Sequence, residues 1–191
     1  MEIKHNKRFD FHPTPLEGLW VVQRKPVEDP RGFFCRFFCA EEFQAAGLKK
    51  PIAQINHTRT QKKGTVRGMH FQYPPHAEAK IVSCLRGEIF DVAVDIRRDS
   101  PTFLQWFGTS LSEENKKSLF VPEGFAHGFQ ALTEDTEILY LVTAQYNSEK
   151  EDALNVQDPI IGIQWPLEIT KLSNKDKAIA NIPQDYNGIL V

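Results

Sequence analysis

The sequence predicts an all-β fold, a sandwich or barrel of short strands. Three observations carry this expectation. Apolar and β-branched runs recur about every ten residues, with Gly, Pro and Asp turn residues between them. Helical signals are confined to two short stretches, E-E-F-Q-A-A-G at 41–47 and a segment beginning at Ser173. Fourteen Phe, four Tyr and three Trp supply large core side chains in 191 residues, an ordinary length for one all-β domain.

Taken in order, L-E-G-L-W-V-V-Q-R at 16–24 reads as a strand. The turn signal D-P-R-G at 29–32 leads to a second strand, F-F-C-R-F-F at 33–38. The short helix at 41–47 stops at Gly47. A strand at 51–60 follows, and Q-K-K-G at 61–64 reads as a hairpin turn into the next. The stretch 65–95 then holds three strands in succession, at 65–71, 80–86 and 88–95. Further strands are expected at 103–111, 119–121, 125–132 and 136–144. From Asn147 the chain turns polar and ends in a helix, where S-N-K-D at 173–176 fits a capping box. No repeat or low-complexity segment divides the chain, so residues 1–191 are read as one domain.

A net charge of −2 provides no global field for nucleic acid or anionic lipid, so positive charge for an anionic ligand must be local. No apolar run approaches the ~20 residues that span a bilayer, and the N-terminal residues lack the apolar run of a secretory signal. The odd count of three cysteines, Cys35, Cys39 and Cys84, predicts reduced thiols in a cytoplasmic protein. Their spacing does not match a zinc ribbon, and no structural metal is expected.

Strand alternation assigns faces. Ile138, Tyr140 and Val142 share one, as do Phe125, His127, Phe129 and Ala131, and Lys80, Val82 and Cys84. If these faces look into one interior, a lysine, a histidine and a phenol sit within an aromatic lining. A polar ligand would then satisfy them. Arg67 and His70 are three apart, so a regular strand sends them to opposite faces. An irregularity at Gly68 is needed to bring both into one pocket. With Lys80 on the next strand, the stretch suggests a site that removes a proton beside a carbonyl and holds the enolate.

The runs V-R-G-M-H-F-Q, K-I-V-S-C-L-R-G-E-I-F-D-V-A-V-D-I-R-R-D-S-P-T-F, L-F-V-P-E-G-F-A-H-G-F and W-P-L resemble the dTDP-4-dehydrorhamnose 3,5-epimerase family, from about Arg31 to Asp176. The resemblance implies a cupin-type jelly roll, a homodimer and catalysis without metal or cofactor. The implied substrate is a nucleotide-diphosphate 4-keto-6-deoxy sugar. His70 matches the family's general base, Asp176 the carboxylate that orients it, Tyr140 the acid on the opposite sugar face and Lys80 the lysine near O4. Gln54, Asn56, Arg67, His127, Glu151 and Lys175 match residues contacting the sugar or its diphosphate. Arg31 matches a nucleotide-binding arginine, and strands within 16–38 are implied to reach the partner subunit.

These residue types suit the chemistry. A 4-keto group acidifies the protons on C3 and C5. A neutral histidine held by a carboxylate takes one of them, and a preorganised cation meets the charge on O4. Plainer readings exist for each residue. His70 fits a core or turn position, Asp176 a helix cap, Tyr140 a barrel filler and Lys80 a snorkelling lysine. His127 fits a cupin metal ligand, although the H-x-H…E…H spacing of metal cupins is missing.

The sequence departs from the family at two places. Arg36 stands where R-G-F-F-x-E has Glu, and Asn155-Val156 where R-W-x-D-P has Arg-Trp. These departures point to an alternative, a CDP-linked substrate or epimerisation at one carbon only. A 3,4-ketoisomerase and a non-catalytic sugar-nucleotide-binding cupin are the remaining readings.

Overall fold

A computed structural model describes residues 2–191. In chain order the elements are β1 (Lys4–His5), β2 (Phe9–Pro13), β3 (Trp20–Arg24), β4 (Val27–Asp29), β5 (Gly32–Phe34) and α1 (Ala40–Ala46). Next come β6 (Gln54–Thr60), β7 (Val66–Gln72), β8 (Lys80–Arg86), β9 (Glu88–Asp95) and β10 (Trp106–Ser112). The chain continues through β11 (Lys117–Val121), β12 (Phe125–Ala131), β13 (Thr136–Val142), β14 (Glu151–Ala153) and α2 (Asn174–Lys177).

Two antiparallel sheets carry the fold. One runs β1-β2-β3-β11-β8-β13-β6 and the other β10-β9-β12-β7-β14. Counted from β6 as first to β13 as eighth, the body strands are ordered 6-3-8-1 in one sheet and 5-4-7-2 in the other. That double crossing between sheets is the jelly roll. The facing surfaces close on Val82, Ile89, Leu119, Phe125, Phe129 and Ile138, all buried. The outer face of the larger sheet is covered by α1, whose Phe43 packs edge-on against Phe9, Phe11 and Phe120. The outer face of the smaller sheet is covered by the C-terminal segment through Ile161, Trp165 and Ile182.

The fold corrects several strand expectations. Q-K-K-G at 61–64 is not a hairpin turn, because β6 pairs with β13 and β7 with β12 and β14. The chain changes sheets there. Gly64, at φ 77°, lies so close to the C-terminal segment that a Cβ would come within 2.8 Å of the Glu168 carbonyl. For the same reason β7 and β8 are not neighbours but face each other across the interior. The strand expected at 16–24 is ordered only over β3, since Leu16–Leu19 closes a turn held by the Thr14 hydroxyl. The expected 33–38 strand ends at Phe34, and Phe38 turns in to pack on α1. The strand expected at 103–111 starts only at Trp106, after Leu104 takes a left-handed φ of 62°. Strands β1, β2, β4 and β14 escaped the sequence pattern.

Candidate active site

An irregularity at Gly68 builds the site. The ladder pairs His127 with His70 but Phe129 with Arg67, so β7 carries one extra residue against β12. Gly68 sits at φ 143° with its Cα face against Gly128. The consequence is a shift of faces within one strand. Val66, Met69 and Phe71 pack under the C-terminal segment. Arg67 and His70 both line the interior cavity instead. The bulge expected from the spacing is therefore present, where a regular strand would have sent the pair apart.

The cavity between the sheets measures about 660 Å³. It brings together nine of the expected residues: Asn56, Arg67, His70, Lys80, His127, Tyr140, Glu151, Lys175 and Asp176. His70 and Tyr140 come from different sheets and share this single cavity. His70 Nε2 lies 2.9 Å from Asp176 Oδ1, leaving Nδ1 without a partner among the described residues. Ser173 caps α2 by accepting from the Asp176 backbone N–H at 3.0 Å. The capping box is thus half formed: Asp176 gives its N–H to the helix and its carboxylate to His70. Burial pushes the Tyr140 phenol far above its ordinary range, opposed first by the Thr58 hydroxyl and then by Arg67, so it carries its proton throughout the physiological range.

Lys80 is nearly enclosed. Its ammonium contacts Glu78 Oε1 at 3.2 Å and donates to the His70 carbonyl at 3.3 Å. Two of its three N–H groups are thereby directed, leaving one for the cavity. Arg67 Nε donates to Thr60 Oγ1 at 3.0 Å, which fixes the guanidinium plane. At the mouth, Glu151 accepts from Lys175 Nζ at 2.5 Å and from the Tyr146 hydroxyl at 2.9 Å. Partial burial pushes the Glu151 carboxyl up, but these two partners outweigh it and hold it below its ordinary range. The lining carries six cations, Arg59, Lys62, Arg67, Lys80, Lys171 and Lys175, against the carboxylates Glu151 and Asp176. A chain of net charge −2 thus concentrates positive charge where an anionic ligand fits.

Two expected residues lie outside the lining. Gln54 stands behind it, its Oε1 accepting from the Tyr146 backbone N–H at 2.6 Å. Arg31 is almost fully exposed at the β4–β5 turn and pairs only with Asp29, at 2.6 Å. The departures from the family pattern are also outside. Val156 is buried beneath the C-terminal segment, where its carbonyl accepts from Trp165 Nε1 at 2.8 Å. Asn155 bonds Ile179 and Asn181. Arg36 lies 3.8 Å from Glu42 and does not line the cavity.

Sequence reasoning missed Tyr146, Thr58 and Asp91. Asp91 sits on β9 wholly buried, with Oδ1 2.9 Å from His127 Nε2. The sequence alone did not mark it: in D-V-A-V-D the aspartate shares its face with Ala93, and only the fold places Ala93 in the inter-sheet core. Among the described residues no group of three or more His, Cys, Asp or Glu side chains is arranged to hold a metal ion.

Proton-transfer groups on facing walls, with surplus positive charge between them, put the chain among jelly-roll enzymes that act on anionic substrates. Comparison with known proteins narrows the class. The family model for dTDP-4-dehydrorhamnose 3,5-epimerase matches residues 13–184, and the chain belongs to that family. It is 43% identical over 173 residues to the dTDP-4-dehydrorhamnose 3,5-epimerase of Salmonella typhimurium, covering 90% of this chain and 94% of that one. The crystal structure of dTDP-6-deoxy-D-glucose-3,5-epimerase from Legionella pneumophila, in complex with dTDP-4-keto-L-rhamnose, superposes with a TM-score of 0.85 at 42% identity, over 90% of this chain and 91% of that one. A 3'-monoepimerase from Streptomyces bikiniensis, in complex with dTDP-quinovose, superposes with a TM-score of 0.81 at 35% identity, over 89% and 86% of the two chains.

Proposed function

We propose that the protein epimerises a dTDP-linked 4-keto-6-deoxy sugar, converting the dTDP-4-dehydro-6-deoxy-D-glucose type to the dTDP-4-dehydro-L-rhamnose type. The observation that carries this reading is the shared cavity, with His70 on one sheet held by Asp176 from α2, and the protonated Tyr140 phenol on the other sheet.

His70 Nδ1 takes the proton from the carbon beside the ketone, and the C–H electrons move to O4 as the enolate forms. Asp176 fixes the ring by accepting from Nε2–H and stabilises the imidazolium. The remaining Lys80 N–H meets the charge on O4. Tyr140 then delivers its phenolic proton to the opposite face of the same carbon, the ketone re-forms, and configuration is inverted. Water returns a proton to the phenolate and removes the one on His70. Arg67 and Lys175 hold the diphosphate, a task suited to directed cations. Glu151 keeps Lys175 in place.

The dTDP form is favoured over a CDP form because related epimerases hold dTDP-linked sugars in their crystal structures, and Val156 is packed away from the cavity. A ketoisomerase needs one base on one face and leaves the opposing phenol without a task. Residues 1–191 act as one domain. The β4–β5 hairpin, with Phe33 and Phe34 exposed, pairs with a second copy and carries Arg31 toward the partner's nucleotide. Three free thiols fit a reducing cytoplasm.

Incubation with dTDP-4-keto-6-deoxy-D-glucose in deuterium oxide tests the reading. Two deuterons entering the sugar, at C3 and C5, are expected. One deuteron assigns a single-carbon epimerase, and none overturns the reading.

A further inference from the structure

Two histidine–carboxylate pairs share the cavity. In each, the imidazole Nε2 meets a carboxylate Oδ1 at 2.9 Å. Their surroundings differ. The His70 side chain is 32% exposed, whereas that of His127 is 4% exposed and Asp91 is fully buried. Asp91 Oδ2 has no hydrogen-bond partner among the described residues. Its flanking face positions on β9 are Ile89 and Ala93, both part of the inter-sheet core.

A carboxylate oxygen without water or donor is costly in such surroundings, and a pair of net negative charge is costlier still. The ionisable groups around the pair do not remove the problem. Lys80 on β8 is already paired with Glu78, and Cys84 on β8 directs its S–H to the Arg86 and Gly87 carbonyls. Tyr140 on β13 stands edge-on to the His127 ring, with centroids 6.3 Å apart. The neutral form of the pair holds one proton more than a carboxylate beside a neutral imidazole. That proton is shared along the Nε2–Oδ1 contact. Whether it rests on nitrogen or oxygen, the second ring hydrogen sits on Nδ1. His127 lines the cavity, and Nδ1 is the nitrogen left to face it.

We propose that Asp91 is a positioning residue that fixes a hydrogen on His127 Nδ1, making this histidine a hydrogen-bond donor to a substrate oxygen. His70 has the opposite task, because its Nδ1 offers a lone pair to a C–H proton. One cavity thus holds two imidazole–carboxylate pairs of the same composition, and burial separates their roles. The oxygen served is one that gains negative charge or carries a hydroxyl beside the reacting carbon. The inference rests on the epimerase reading for its catalytic consequence but not for its spectroscopic one.

The test uses the full-length protein labelled with ¹⁵N-histidine, with the His127 signals assigned by their loss in His127→Gln. Two-bond nitrogen–proton correlations of the free protein are expected to show hydrogen on His127 Nδ1. A bare Nδ1 with hydrogen on Nε2 alone would overturn the proposal. Asp91→Asn preserves the side-chain shape and lets the amide oxygen accept from Nε2–H, so Nδ1 should lose its hydrogen. With that variant, kcat is expected to fall about a hundredfold, as for loss of one directed donor, while KM changes less than about threefold. A folded Asp91→Asn protein that keeps wild-type kcat overturns the proposal. Failure of the wild-type protein to exchange deuterium into substrate overturns the epimerase reading instead, and leaves the nitrogen spectrum to decide the tautomer.

Discussion

Gly68 and Gly128 stand face to face across β7 and β12, so close that a Cβ on Gly68 would lie 2.6 Å from the Gly128 Cα. This contact accompanies the extra residue of β7 that turns Arg67 and His70 into one cavity. Neither position has room for a methyl group, and Gly68 also holds a φ of 143°. Gly68→Ala is therefore expected to cost about 3 kcal/mol, from overpacking together with an unfavourable backbone region. For a chain of this size that lowers Tm by roughly 6–12 °C. Thermal melts read the stability, and kcat should fall beyond the stability loss because the base is displaced. A melting curve unchanged from wild type would show that the two strands can separate cheaply, and would remove the structural reason for glycine here.

The His70–Asp176 contact predicts a graded pair of defects. His70→Asn removes the base and should lower kcat by roughly 10³-fold or more, abolishing deuterium exchange. Asp176→Asn keeps the backbone N–H that Ser173 caps, so α2 should persist. It should still lower kcat by ~10²- to 10⁴-fold, because an amide can donate to Nε2 and trap the wrong tautomer. Single-turnover exchange measures both. Exchange at the wild-type rate in His70→Asn would require another base.

Tyr140 predicts a separation of two observables. Its phenol is protonated and faces the cavity from the sheet opposite His70. Tyr140→Phe should leave abstraction by His70 in place, so the substrate still acquires deuterium. Net inversion should fall by at least ~10²-fold. Proton NMR of the sugar, following label and configuration in one sample, distinguishes the outcomes. Equal loss of exchange and inversion would place the phenol's contribution in enolate formation rather than in proton delivery.

Much of this was legible in the sequence. The strands at 80–86 and 88–95 match β8 and β9 residue for residue, because alternation and the R-G turn agree locally. The need for an irregular strand at Gly68 followed from a spacing of three. The paths between sheets were not legible. Q-K-K-G reads locally as a hairpin turn, and only the pairing of β6 with β13 excludes it. Strands β1, β2 and β14 extend edges and borrow their order from neighbours. Asp91 was hidden by its own burial, since D-V-A-V-D reads as a polar-ended strand until Ala93 is seen in the core. The role of Val156 needed the fold as well. As a departure from a motif it suggested altered specificity, yet its side chain is packed under the C-terminal segment.

Asp95 predicts how the scaffold responds to acid. Its carboxylate accepts from Arg97 Nη2 at 2.7 Å and from the Ser100 and Thr102 hydroxyls, each at 2.6 Å. Burial raises the group, but Arg97 and the two hydroxyls outweigh it and hold it below its ordinary range. A depressed carboxylate contributes stability that is complete above its unfolded pKa of about 3.9, and that is lost as pH falls from there through the folded value. Urea midpoints should therefore drop below about pH 4. Asp95→Asn should cost ~2–4 kcal/mol at neutral pH, since it leaves Arg97 without its ionic partner. The variant should also show a shallower acid limb. Parallel acid limbs in the two proteins would assign the acid sensitivity to other carboxylates.

The β4–β5 hairpin makes the last prediction. Phe33 and Phe34 are 58% and 60% exposed, beside an exposed Val27, on a two-stranded element joined to neither main sheet. Adjacent large apolar side chains on a projecting ribbon mark a contact surface rather than a solvated one. Arg31 sits at the tip of this ribbon and pairs only within it, with Asp29. If the ribbon completes a second copy's nucleotide site, oligomerisation and substrate binding are linked through it. Phe33→Ser with Phe34→Ser should shift the protein from dimer to monomer in sedimentation at micromolar concentration. Arg31→Ala should leave the dimer intact and raise KM about tenfold, the loss of one charge-assisted contact, with kcat changed far less. A monomeric wild-type protein with full activity would sink the link, because the arginine would then have no site to reach.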